Sequence, residues 1–190
     1  MGRLKNHVKL VGGAPQFRIR ESADSQAPVY WIYSQNDLLG DLAGIEATCG
    51  ERKKICTRDE VSTLFAGDLI FSLISGNACM VSKRHEGYLY TQNYIKMFTD
   101  GSVVPAFLIY LLNEDRRIQK QFQAGLQGSS ILKYTLKQLR ELELPPLPPL
   151  ERQRIIGEIY LKQLRVEALK KRVAEEEKLL LLGYLGEVSI

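Results

Sequence analysis

Four of the chain's seven prolines fall within five residues, in Leu144-Pro145-Pro146-Leu147-Pro148-Pro149-Leu150. Proline fixes its own φ and drives the preceding residue toward extended geometry. This stretch therefore reads as a stiff, polyproline-II-like strut that neither a sheet nor a helix can run through. Pro149 suits the first turn of a helix, where a missing N–H costs nothing. Glu151 favours the positive end of the helix dipole. A helical pattern follows, clearest from Ile155 to about Leu182, with Gly183 as its expected stop. From Leu150 to Leu182 it spans roughly 33 residues, or about 50 Å. The expected plan is a globular part over 1–144, a proline hinge over 145–150 and a long helix over 151–190.

The helix carries an organised apolar face. Ile155, Ile159, Val166, Leu169, Val173 and Leu180 follow alternating steps of three and four residues, with Lys162 and Glu176 interrupting the seam. Leu161, Leu164, Ala168 and Leu182 form a second stripe beside it, wider than a two-stranded coiled coil needs. Two arrangements are open: a helix folded back on its own domain, or an arm that pairs with another long helix in a coiled-coil-like manner. The cluster Lys170, Lys171, Arg172, Glu175, Glu176, Glu177 and Lys178 reads as a solvated face.

The remaining 150 residues are enough to bury a core. A hydrophobic content of 45% and a charged content of 25% are those of an ordinary soluble domain. The net charge is +4. Eighteen basic and 15 acidic residues precede Glu151, against 8 and 7 from there on, so the excess sits in the globular part. That permits a nucleic-acid partner without demanding one. Cys49, Cys56 and Cys79 are odd in number and lack a CxxC pair, which points to reduced thiols in a cytoplasmic protein. Met1 to Val11 has no apolar core of signal-peptide length, and no apolar run reaches membrane-spanning length.

Within the globular part, Val29 to Ile32 reads as a strand, Asp37 to Gly44 as turn residues, and Gly50 to Lys54 as a charged loop. Leu69 to Ile74 is a buried strand, turned by Ser75-Gly76-Asn77 into Ala78 to Val81. Asn93 to Phe98 is another strand. Phe107, Leu108, Leu111, Leu112, Ile118 and Phe122 recur at helical spacing from Pro105 to Gly125. Leu132 to Thr135 is extended, and Leu136 to Leu142 is a short helix capped by Thr135. The expected class is α+β, a mostly antiparallel sheet followed by the long helix.

Catalytic constellations are missing. His7 and His85 lack a second ligand at metal spacing, His7 reading as an exposed terminal residue and His85 as a loop residue. Phosphate-cradling, nucleophile-elbow and dinucleotide motifs are absent. Pro145-Pro146-Leu147 lacks the amide and the aromatic ring of an adenine methyltransferase motif. Neither chemistry nor a cofactor of the chain's own is expected.

The run Gly67 to Leu73, the Gln92-Asn93 pair before a strand, the Gly125 to Ser130 loop, and above all Leu139 through the proline hinge to Gln153-Arg154-Ile155 resemble the specificity (S) subunit of type I restriction–modification systems. In that family a target-recognition domain ends in a PLPPL-x-x-Q-x-x-I hinge followed by a long helix. The resemblance covers about Lys9 to Leu182. Family members typically carry two recognition domains and two helices packed antiparallel; one of each here implies a half-length form that restores the pair as a homodimer. The implied partners are double-stranded DNA, a second copy, modification (methyltransferase) subunits, and restriction subunits in the full complex, with no membrane.

Two readers related by a two-fold axis would recognise an interrupted palindrome. The DNA-facing candidates are polar and basic: Arg18, Arg20, Arg52, Lys53, Lys54, Asn77, Lys83, Arg84, Gln127, Ser129 and Ser130. The candidate dimer seam is Ile155, Ile159, Val166, Leu169, Val173 and Leu180. Rival readings are a regulatory or decoy fragment that binds modification subunits without reading DNA, and a proline-rich ligand for an SH3-type domain.

Overall fold

In a computed structural model, described over residues 2–46, 52–126 and 134–188, the α+β expectation holds. Four strands form an antiparallel sheet: β1 (Val8–Gly12), β4 (Leu69–Ser72), β5 (Ala78–Met80) and β6 (Tyr94–Thr99), in the order β1-β6-β4-β5. A separate ribbon pairs β2 (Val29–Trp31) with β3 (Lys54–Cys56), Trp31 opposite Lys54. Bridges from Ile32 and Thr63 to Leu89 tie this ribbon to the segment that leads into β6.

Strand alternation explains why the central strands are mostly apolar on both faces; the buried Lys96 of β6 is the charged exception, ion-paired to Asp68. Successive side chains point to opposite faces. Leu69, Phe71, Ala78, Ile95 and Met97 join one core with Phe107, Leu111, Phe122 and Leu139. Ile70, Cys79 and Tyr94 join a second with Tyr33, Leu38, Leu64 and Val81. Both faces of the sheet are covered, so a polar side chain there needs a partner, as Lys96 has in Asp68. In the first core Phe71 stacks on Phe122 at 5.6 Å, and Tyr134 packs edge-on against both rings.

Among the described residues, five α-helices accompany the sheet. α1 (Gln35–Ala43) runs through residues whose composition reads as a turn. Ser34 and Asp37 form a reciprocal capping box, and Gly44 closes the helix in left-handed geometry at φ 65°. The expected single helix from Pro105 to Gly125 is two, α2 (Pro105–Glu114) and α3 (Arg116–Leu126). Asp115 is extended between them, and its carboxylate accepts the N–H groups of Arg117 and Ile118, starting α3 afresh. α4 (Leu136–Glu141) has the expected Thr135 cap, reciprocated by Gln138. Of the expected charged loop Gly50 to Lys54, Gly50 and Glu51 lie outside the described residues, and Lys54 already belongs to β3.

α5 runs from Leu150 to Val188, 39 residues or about 58 Å. It begins at Leu150, so Pro149 precedes the first turn and its carbonyl accepts the Gln153 N–H. It passes through Gly183, which is solvent-facing; a lone exposed glycine costs a helix only about 1 kcal/mol. No helix among the described residues is long and apolar enough to cross a membrane.

The hinge is anchored. Leu144 and Pro145 are buried, and Leu147 packs on the first core. A segment held this way is not free to lie in an SH3-type groove, which weighs against the proline-ligand reading.

Candidate nucleic-acid interface and helix seam

The basic candidates divide between elements. Lys53 and Lys54 are exposed where the chain enters β3, and the Lys53 carbonyl accepts the Ile32 N–H, which fixes that edge to the ribbon. Lys83 and Arg84 lie in a short 3-10 turn, Lys83–His85. Arg52 and Arg84 meet at one cleft of about 430 Å³, with Glu46, Ser82 and Tyr88 among its other walls. Arg84 touches Glu46 at 3.5 Å, both side chains being mostly exposed; such a pair is worth little and is readily exchanged for a phosphate. Trp31, 41% exposed and opposite Lys54, adds an aromatic surface that the sequence reading did not single out.

Other candidates lie elsewhere. Arg18 and Arg20 are exposed around the 3-10 turn Gln16–Arg18, near the strongly exposed Phe17. The Arg20 N–H is held by Asp59. Asn77 sits at the β4–β5 turn, at the opposite end of β5 from Lys83. Its neighbour Gly76 has φ 74° and lies against Tyr134, where a Cβ would overlap the ring. Gln127, Ser129 and Ser130 lie outside the described residues.

Beneath the cleft is a buried polar network. His85 reads as a loop residue in sequence, but the structure buries it. Its Nδ1 lies 2.9 Å from Asp41 and its Nε2 3.3 Å from Asp37. Burial alone lowers the imidazole pKa, but hydrogen bonds it donates to the two carboxylates overcome this and push the pKa up to about 9. Burial likewise raises Asp37, yet hydrogen bonds from His85 and Ser34 hold its carboxyl below the usual range. Tyr33 donates to Asp41 at 2.8 Å, and burial drives its own phenol pKa upward. Tyr33 and Tyr88 pack edge-on against the imidazole.

One function of this network follows from its members: it clamps α1 to the turn that presents Lys83 and Arg84. The sequence signal was Asp37 and Asp41, one helical turn apart on α1. Its partner was not legible, because His85 lies 44 residues beyond Asp41. Among the described residues, no group of histidine, cysteine and acidic side chains is arranged to hold a metal.

On α5 the two apolar stripes separate, except that Leu182 of the second is exposed with the rest of the distal helix. Gln153, Ile156, Gly157, Tyr160, Leu161, Leu164 and Ala168 are buried or half-buried, and Tyr160 donates to Glu114 of α2. Gly157 is required there: a Cβ would come within 2.6 Å of the backbone of Ala106 and Phe107. Farther along, Arg172 donates to the Glu46 carbonyl at 2.6 Å. From Val173 to Gly186 every residue is exposed.

The first half of α5 thus folds back on its own domain, and the second half projects. Ile155, Ile159, Val166, Leu169, Val173 and Leu180 are between 42% and 65% exposed. They lie about 180° around the helix from the packed stripe, on the opposite face and not beside it as the sequence suggests.

A family model described as the type I restriction modification DNA specificity domain matches residues 21–176. Comparison with curated protein sequences finds no significant match. Among solved structures, the S subunit of a type I restriction–modification system from M. genitalium matches with a TM-score of 0.55 at 16% identity, over 93% of this chain and 42% of that one. A chain from a structure titled for complex assembly and conformational transition of the type I R-M system matches with a TM-score of 0.54 at 22% identity, over 94% and 41%. The HsdS subunit from Thermoanaerobacter tengcongensis matches at 20% identity with a TM-score of 0.49, over 90% and 39%. The chain spans about two fifths of the length of these structures.

Proposed function

This chain belongs to the type I restriction–modification DNA specificity family, and from that premise we propose that it is a non-catalytic DNA reader working as a homodimer in the cytoplasm. Two copies joined through α5 present two recognition domains to an interrupted palindrome, and the paired helices set the unread gap between half-sites. The domain is the segment 1–144, the hinge 145–150 and the spacer 151–190. Adenine methylation belongs to modification subunits recruited by the arms, and cleavage to restriction subunits where they are present.

The observation that carries this reading is the exposed apolar face of α5. It lies opposite the face already packed on the domain, and a soluble chain that exposes such a row of Ile, Val and Leu needs a partner for it. On the domain, Arg52, Lys53, Lys54, Lys83 and Arg84 beside Trp31 form the favoured DNA surface. The lysines supply phosphate affinity, and the arginines are able to hold guanine bidentately. Arg18, Arg20, Asn77, Gln127, Ser129 and Ser130 remain further contact candidates.

Selection from randomised DNA, using this chain with its modification subunits, tests the proposal. The expected product is two inverted half-sites at one fixed spacing. Recovery of a single asymmetric site, or of none, would overturn it; none would favour a decoy that grips modification subunits without reading DNA.

A further inference from the structure

The seam on α5 holds enough information to place the two-fold axis. Its eight positions, Ile155, Ile159, Lys162, Val166, Leu169, Val173, Glu176 and Leu180, are separated by steps of four, three, four, three, four, three and four residues. That series is the same read in either direction. Reversed on a second copy, it overlays itself completely in only one register. Sliding by a heptad in either direction leaves seam positions without an opposite seam residue.

The charges choose the same arrangement. In a parallel pair, Lys162 would face Lys162 and Glu176 would face Glu176. In the fully overlapping antiparallel register, Val166 faces Leu169 of the second copy, Ile155 faces Leu180, Lys162 faces Val173 and Ile159 faces Glu176. Lys162 and Glu176 of the second copy then occupy adjacent layers about 5 Å apart. Helical side chains lean toward their own N-terminus. Because the helices run oppositely, these two lean toward each other. Sliding by a heptad one way brings two lysines into adjacent layers about the axis. Sliding the other way makes the Lys162 and Glu176 side chains lean apart.

We propose, building on the homodimer reading, that two copies of α5 pair antiparallel with the two-fold axis between Val166 and Leu169, locked by reciprocal ion pairs between Lys162 of each copy and Glu176 of the other. Both groups are exposed in the single chain, where Lys162 reaches only Glu158 at 3.4 Å across an exposed turn. Val166, Leu169 and Val173, next to the axis, line a shallow, mostly apolar groove. The polar interruptions thus become the device that fixes register, and with it the distance between the two readers.

Charge reversal and cross-linking test this together. Lys162→Glu and Glu176→Lys should each raise the dimer dissociation constant at least about tenfold, and the double variant should recover to within about threefold of the parent. A chain carrying Ile159→Cys and Glu176→Cys should form an intermolecular disulfide under mild oxidation that neither single variant forms. A dimer in which the charge variants are neutral, or in which Ile159→Cys alone cross-links, would overturn the register while leaving the homodimer intact. A parent chain that stays monomeric would overturn the homodimer and the register with it.

Discussion

Gln153 Oε1 accepts the backbone N–H of Val104 at 2.9 Å, just before α2 begins. The same amide donates through Nε2 to the carbonyls of Pro148 at 2.9 Å and Ser102 at 3.2 Å. One side chain, 1% exposed, therefore ties the end of the proline hinge, the first turn of α5 and the start of α2. Both of its polar atoms are used, so no isosteric apolar residue replaces it. This is the physical content of the Gln in the hinge motif. Gln153→Leu should destabilise the chain by about 2–4 kcal/mol, because it leaves buried backbone groups unpaired. Urea unfolding followed by circular dichroism checks this; a loss below about 0.5 kcal/mol would contradict it.

Gly157 makes the opposite kind of demand. In an isolated helix, Gly→Ala gains up to about 1 kcal/mol. Here the added methyl meets the α2 backbone rather than a flexible side chain. Gly157→Ala should therefore destabilise by about 1–3 kcal/mol, whereas Gly183→Ala, which meets nothing, should stabilise slightly. The contrast in unfolding midpoints between these two variants is the measurement.

His85 gives the fold a pH dependence. Its folded pKa of about 9 lies above the ordinary value of 6.5, so protonation favours the folded state. Its contribution is complete below about pH 6.5 and is lost as pH rises through about 9. Asp37 acts in the other sense, contributing above its ordinary value of 3.8 and losing that contribution as pH falls through its lowered pKa. Melting temperatures between pH 6 and 10 should decline for the parent. His85→Gln should melt lower at pH 7 and decline less toward pH 10. An equal alkaline decline in both would contradict the assignment.

Arg52 and Arg84 should act on DNA binding rather than on folding, since both are exposed. Each Ala substitution that removes a phosphate contact should lower the salt slope of binding by about one; one that removes a base contact should relax specificity at a single position and cost about 1–3 kcal/mol. Unchanged affinity and slope in both variants would move the DNA surface elsewhere, toward Arg18, Arg20 or Asn77.

Much of this was legible in the sequence because the signals were local. The proline strut, the β4–β5 hairpin around Gly76, the Thr135 cap and the seam of α5 all rest on residues a few positions apart. What was not legible depended on distant partners. β1 is five residues long and is a strand only because β6 lies beside it. Asp115 divides α2 from α3 through bonds from its own side chain, which helical periodicity does not register. α1 carried its signals openly, in Ser34, Asp37 and Gly44, but its turn-forming composition hid them. In the candidate site, Arg52 and Arg84 could be chosen for their charge, but their meeting at one cleft depends on the His85 network.

Self-association through α5 is the claim on which the rest stands, and the mass of the purified chain by light scattering at micromolar concentration tests it most directly. The parent should weigh twice the chain mass of 21.6 kDa, falling to 21.6 kDa in Leu169→Glu with the helical circular-dichroism signal retained. A parent chain at 21.6 kDa, or a Leu169→Glu variant still at twice that mass, would contradict it.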